Sequence, residues 1–239
     1  MSAVKSILLF RLRKNLKYHR LYPINLTNMK ISTLLFDFDG VVVDTESQYS
    51  RFWDATALQN GAYVDNFSLK IKGMPLDEIF AKYFSHCSTD TFDKIRQNLL
   101  AFEKALDFSQ INGVVNFLKE ARKRGYSTGL VTSSSADKMK SVFATTSYGE
   151  LFDTFITAQD IIRGKPDPMC YLLAAQRLGA NASECAVFED SMTGLKAGNA
   201  ANMRVIGLAT TFPRDMVEPL SYATIDDFSN QEEIFSLLQ

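Results

Sequence analysis

Residues 33–46 read Thr33-Leu34-Leu35-Phe36-Asp37-Phe38-Asp39-Gly40-Val41-Val42-Val43-Asp44-Thr45-Glu46. Leu34, Leu35 and Phe36 form a short apolar run of the kind a fully buried strand requires. Asp37 and Asp39 follow with one residue between them, and Gly40 comes next. Side chains alternate along a strand, so the two aspartates leave it on one side of the chain. Carboxylates held close repel, and one or both pKa values rise unless a cation lies between them. A buried strand ending in such a pair is costly, and that cost points to a site.

Downstream, Asp44-Thr45-Glu46 has the form of a helix start, with Asp44 or Thr45 as the cap and an acid in the first turn. From residue 47 to about 110 the apolar spacing is helical. Phe52, Ala55 and Leu58 open it, then Leu76, Ile79, Phe80, Tyr83 and Phe84, then Phe92, Ile95, Leu99 and Phe102. No strand signal interrupts this region, so it reads as a helical bundle inserted after the first strand. From Gly113 the rhythm changes to alternating helix and strand. Strands are predicted over residues 126–131, 155–157, 185–188, 204–208 and 223–225, with helices between them, the first stopped by Gly125. Repeated strand–helix–strand units imply a parallel sheet with helices on both faces. The predicted fold is α/β, a Rossmann-like parallel sheet core (residues 31–44 and 111–239) with an inserted α-helical cap (residues 45–110).

The composition of the 239 residues, 46% apolar and 22% charged, is that of an ordinary globular protein. Seven of the 26 basic residues and none of the 27 acidic ones fall in residues 1–30, leaving 19 basic against 27 acidic. The globular part is thus acidic and has no basic stripe for nucleic acid. Residues 1–30 read as a basic extension. The apolar stretch 7–10 is too short for a membrane span, and the arginines after it would stop a secretory signal. Translation starting at Met29, with the extension disordered or not native, is the expectation; an organellar transit peptide or a surface-binding helix is the alternative. Cys87, Cys170 and Cys185 show no metal-ligand spacing, which suits free thiols in a reducing, cytoplasmic setting. None has an arginine six residues on, only two histidines exist, and no GxxxxGK[ST] loop is present.

In an open parallel sheet, ligands bind beyond the carboxyl ends of the strands. Four polar groups fall at such junctions: Asp37/Asp39, Thr132/Ser133, Lys165 and Glu189/Asp190. Singly, each has a plain reading, since Asp39 can cap a turn, Glu189, Asp190 and Ser191 can cap a helix, and a lone lysine is usually solvated. Together and in order they favour catalysis. Asp37, Asp190 and Glu189 with a backbone carbonyl suit an octahedral, oxygen-preferring ion, and Mg²⁺ fits best. Hydroxyl and amide groups at Thr132/Ser133, near a helix N-terminus, make an anion cradle, and Lys165 adds positive charge. With so little histidine and no activated cysteine, covalent catalysis would need an aspartate as nucleophile.

These residues resemble the four ordered motifs of the haloacid dehalogenase superfamily: Asp37-Phe38-Asp39-Gly40-Val41, the strand ending at Thr132, Gly164-Lys165-Pro166-Asp167-Pro168 and Phe188-Glu189-Asp190-Ser191. The chain from about Met29 onward is similar to the β-phosphoglucomutase-like phosphatase branch, whose helical cap follows the first strand. The resemblance implies that Asp37 attacks phosphorus and forms an aspartyl phosphate, while Asp39 serves as acid and then base. It also implies that Thr132 and Lys165 hold the phosphoryl group. Asp37, the Asp39 carbonyl, Glu189 and Asp190 would bind Mg²⁺, and Ser133, Gly73 and Thr45 would touch substrate. The cap would open and close about Asp44–Thr45 and the return near residues 110–113.

Dehalogenase relatives lack the second aspartate, so Asp39 argues for phosphoryl transfer. Sugar phosphomutases of the branch carry an arginine three residues after the cap-loop glycine, and Leu76 stands there instead. The expected activity is hydrolysis of a small phosphorylated metabolite by a monomer. A β-phosphoglucomutase in which Lys70, Lys72 or Lys82 supplies the missing charge is the alternative, and a non-catalytic phosphometabolite-binding module is a third reading.

Overall fold

The computed structural model describes residues 30–239 apart from residues 73 and 75. The expectations for residues 1–29 and for Gly73 therefore lie outside the described residues. Strands β1 (Thr33–Phe36), β2 (Ser127–Val131), β3 (Thr154–Ile156), β4 (Cys185–Glu189), β5 (Arg204–Leu208) and β6 (Ala223–Ile225) form one sheet. All pairings are parallel and the order is β3-β2-β1-β4-β5-β6. The strand that opens the described chain thus lies in the middle of the sheet.

The apolar run of β1 divides its side chains between two cores, as a period of two demands. Leu34 and Phe36 join one with Phe117, Leu118, Phe188 and Phe235, while Leu35 joins the other with Tyr171, Ala174 and Val187. Phe36 stacks on Phe188 with ring centroids 4.6 Å apart and also meets Phe117, Phe152 and Phe228. Each such pair adds about 0.5–1.5 kcal/mol beyond the area it buries. Helices cover both faces: α5 (Val114–Lys123), α6 (Ala136–Thr145) and α9 (Gln231–Leu237) on the first, α7 (Met169–Arg177) and α8 (Met192–Ala200) on the second.

Between β1 and α5 come α1 (Glu46–Gln59), α2 (Phe67–Ile71), α3 (Leu76–Tyr83) and α4 (Thr89–Lys104), with no strand among the described residues. They share a core of their own, in which Trp53, Phe67, Ile71, Phe80, Phe84 and Ile95 are buried. The two connections to the sheet domain run side by side. The Asp44 N–H donates to the Ser109 carbonyl and the Ile111 N–H to the Val42 carbonyl, both at 2.9 Å. Gln48 ties them further through hydrogen bonds to both Asp44 and Asp107 main chain. Of the two cap residues expected at the helix start, Asp44 is the one whose side chain caps. Thr45 occupies the cap position of α1 but its hydroxyl does not cap; the Asp44 carboxylate accepts from the Ser47 N–H instead. Thr45 is fully buried and its hydroxyl is turned towards Asp39.

Candidate active site

Register explains why the acidic residues meet. Phe36 pairs with Leu130 on one side and Phe188 on the other, so one residue further Asp37 comes level with Val131 and Glu189. The Asp37 N–H continues the ladder by donating to the Phe188 carbonyl at 3.0 Å. Beyond the strand ends lies a cavity of about 380 Å³ whose lining includes Asp37, Asp39, Thr132, Ser133, Lys165 and Asp190. Glu189 lies behind this wall, wholly buried.

Lys165 is the centre of the charge pattern. Its Nζ lies 2.5 Å from Asp37 Oδ1 and 2.5 Å from Glu189 Oε1, with only 6% of the side chain exposed. Burial alone would lower the ammonium pKa, but the Asp37 and Glu189 charges outweigh it and hold the pKa well above its ordinary value. The Glu189 carboxylate also accepts from the Tyr171 hydroxyl, the Asp190 and Ser191 N–H groups and the Ser191 hydroxyl. It therefore works as an anchor for Lys165 and for the turn into α8. A Cβ on Gly194 would overlap that carboxylate, which accounts for glycine in the first turn of α8.

Asp190 is 1% exposed, and its Oδ2 accepts a short hydrogen bond from the Thr211 hydroxyl. Its Oδ1 is buried and has no hydrogen-bond partner among the described residues. Gly40 packs against this carboxylate at φ +83°, where a Cβ would be both strained and in collision. Asp37, Glu189 and Asp190 each offer an oxygen, all within 4.8 Å of one another. Burial pushes the Asp37 carboxyl up to about 7, with Lys165 opposing and Glu189 adding to the shift; burial and the two neighbouring carboxylates also drive Asp190 well up. One lysine among three carboxylates, with one buried oxygen unpartnered, fits a divalent cation that prefers oxygen ligands.

Asp39 has a lysine of its own. Lys138 Nζ lies 3.1 and 3.2 Å from its two oxygens, and the Thr45 and Ser134 hydroxyls donate to it at 2.7 and 3.1 Å. The two aspartates are thus each paired with a separate cation. Thr132, 3% exposed, accepts from the Ser134 N–H through its hydroxyl, while Ser133 is exposed on the cavity wall. Ser135 caps α6 by accepting from the Lys138 N–H. At the mouth, Lys72 crosses from the helical insertion to the sheet domain. Its Nζ donates to Glu46 at 3.0 Å and to the Thr211 carbonyl at 3.1 Å.

Sequence reasoning did not find Ser134, Lys138, Tyr171 or Thr211 as site residues. Ser134 lies in the hydroxyl run 132–135, and Lys138 is one helical turn further on the same face. Thr211 follows β5, whose carboxyl end belongs to the same rim of the sheet. Tyr171, on α7, donates its hydroxyl to Glu189 and carries no local signal. All three cysteines are free, and burial pushes the Cys170 and Cys185 thiols up to about 11 and 12, which removes them from the chemistry.

A profile of the family described as haloacid dehalogenase-like hydrolase matches residues 34–208. The chain belongs to the haloacid dehalogenase-like hydrolases. Among curated relatives of this hydrolase, validoxylamine A 7'-phosphate phosphatase from Streptomyces hygroscopicus subsp. limoneus is 29% identical over 181 residues, 74% of this chain and 85% of the relative. Pyrophosphatase PpaX from Bacillus velezensis is 30% identical over 78% of this chain and 87% of its own. In fold, the hydrolase is similar to β-phosphoglucomutase from Clostridium difficile, with a TM-score of 0.66 at 20% identity, covering 87% of this chain and 97% of that one.

Proposed function

We propose that this hydrolase is a Mg²⁺-dependent phosphatase that cleaves a small phosphorylated metabolite through an aspartyl phosphate on Asp37. The observation that carries the reading is that Asp37, Lys165 and Asp190 meet in a cavity whose wall also holds Asp39, with Glu189 buried behind them and paired with Lys165. The relatives named as phosphatases support the reaction class. The second reading, a phosphomutase, draws on the fold similarity and on Lys72 at the mouth, but Lys72 is already paired with Glu46.

Asp37 Oδ1 is held by Lys165, which leaves Oδ2 to attack phosphorus. As the new O–P bond forms, the bond to the leaving oxygen breaks and Asp39 supplies that oxygen with a proton. Asp39 then takes a proton from water whose oxygen attacks the same phosphorus, and inorganic phosphate leaves Asp37. Lys165 neutralises charge at the nucleophile, and Thr132 and Ser133, which line the cavity, would donate to the phosphoryl oxygens. Asp37 and Asp190, with the Asp39 carbonyl and Glu189 beside them, would hold Mg²⁺. When bound, the ion supplies positive charge to the phosphoryl oxygens and the nucleophile.

Release of inorganic phosphate from a panel of sugar phosphates, polyol phosphates and pyrophosphate, with Mg²⁺ and with EDTA, tests the reading. Turnover that EDTA removes is expected. Conversion of β-glucose 1-phosphate to glucose 6-phosphate, with no phosphate released, would replace it with the mutase.

The carboxylate cluster has two further measurable consequences. Because Asp37 is raised from 3.8 to about 7, its contribution favours the metal-free fold below about pH 4 and is lost as pH rises through 7. Mg²⁺ requires ionised carboxylates and relieves their repulsion. The rise in Tm on adding Mg²⁺ is therefore expected to be larger at pH 8 than at pH 5.5 in differential scanning fluorimetry. Equal increments would argue against this cluster as the metal site. Thr211→Val removes the donor that orients Asp190, and Mg²⁺ affinity in calorimetric titration is expected to fall about tenfold or more. Unchanged affinity would show that Gly40 and burial suffice to place the carboxylate.

A further inference from the structure

We propose that the phosphate ester cleaved here carries a leaving group longer than one sugar ring, polyhydroxylated and without a second anionic group. The proposal rests on the phosphatase reading and adds the class of its substrate. A second cavity, of about 950 Å³, adjoins the catalytic one, and Tyr49, Ser134 and Lys138 line both. Ser134 and Lys138 are two of the groups that hold the Asp39 carboxylate. The acid that protonates the leaving oxygen therefore stands at the junction, and a leaving group bonded to that oxygen has its path into the larger space. That space is more than twice the volume of the catalytic cavity.

Its walls define what it accepts. One comes from α6 and contributes Ser141 and Thr145; the other, at the end of α4 and after it, contributes Leu100, Glu103, Asp107 and Phe108. Lys138 is paired with Asp39, and the other lysine of the lining, Lys104, is outnumbered by the Glu103 and Asp107 carboxylates that line the same cavity, so there is no surplus of positive charge for a second phosphate. Carboxylates that accept hydrogen bonds, beside apolar patches from Leu100 and Phe108, suit the hydroxyl edges and C–H faces of an uncharged or amine-bearing polyol. Binding energy from such a remote ring serves the reacting centre and raises kcat/KM.

The test compares trehalose 6-phosphate, a two-ring ester, with glucose 6-phosphate in wild type and in Ser141→Trp. Ser141 is exposed on α6 and outside the catalytic groups, so the tryptophan fills the second cavity without touching the first. The expected result is a kcat/KM about tenfold or more higher for trehalose 6-phosphate, lost in Ser141→Trp while glucose 6-phosphate turnover is unchanged. Leu100→Trp, on the opposite wall and 58% exposed, is expected to reproduce the effect. Equal or better turnover of glucose 6-phosphate in wild type, or an equal loss of both substrates in the variants, would overturn the inference while leaving the phosphatase intact. Absence of turnover with every ester would overturn the phosphatase reading itself.

Discussion

Asp37→Asn is expected to lower phosphate release by a factor on the order of 10³ or more while leaving the protein folded. An amide has almost the shape of the carboxylate but is a far weaker nucleophile, so the first O–P bond does not form. The fold tolerates the exchange for a reason visible in the charge pattern. Lys165 keeps its 2.5 Å contact with Glu189, and one of three crowded carboxylates disappears. The Tm without metal should stay near that of wild type, whereas the increment produced by Mg²⁺ should shrink because a ligand has been lost. Steady-state phosphate release and scanning fluorimetry on the same preparations separate the two effects. An Asn variant that keeps more than about a tenth of wild-type turnover would remove Asp37 from the nucleophile's role and leave it as a charge partner of Lys165.

Much of this site was legible because its spacing is local or follows from the sheet. The apolar run before Asp37 marked a buried strand, and the period of two placed Asp37 and Asp39 on one side, where both line the cavity. The alternation of helix and strand after Gly113 then brought Thr132 and Asp190 to the same rim. The groups that neutralise the pair were only half legible. The repulsion of the two aspartates implies either raised pKa values or a cation between them, and the structure gives each its own lysine, Lys165 and Lys138. Lys138 is 99 residues from Asp39, and no periodicity ties a helix surface lysine to a loop carboxylate. Thr45 shows the converse limit. Its sequence context is that of a helix cap, but full burial beside Asp39 offers its hydroxyl a charged acceptor, which makes the stronger hydrogen bond.

Lys72 and Thr211 extend the same logic to the boundary between the helical insertion and the sheet domain. The Thr211 carbonyl accepts from Lys72 of the insertion, while its hydroxyl donates to Asp190. The neighbouring Thr210 hydroxyl donates to the Gly40 carbonyl at 2.6 Å, so the loop after β5 also braces the turn that follows Asp39. One short segment therefore touches the insertion, the Asp190 carboxylate and the turn that follows Asp39.

Lys165→Met is expected to have the largest effect on stability as well as ending turnover. The methionine chain fills similar volume but removes the ammonium that, among the described residues, alone contacts both Asp37 and Glu189. Glu189 has no solvent exposure, so its charge cannot be compensated by water. Removing one partner of a buried pair leaves the other uncompensated, at a cost of about 3–5 kcal/mol in unfolding free energy near pH 8 without metal. The sign of the pH dependence follows from the carboxylates. Asp37 sits at about 7 with Lys165 in place, and loss of the ammonium moves it further upward, so it takes up a proton more readily as pH falls. The destabilisation should therefore shrink between pH 8 and pH 5.5, and urea unfolding at the two pH values measures it. A deficit of equal size at both would mean that the lost packing and Lys165's hydrogen bond to the Val131 carbonyl, rather than its charge, hold this corner of the fold together.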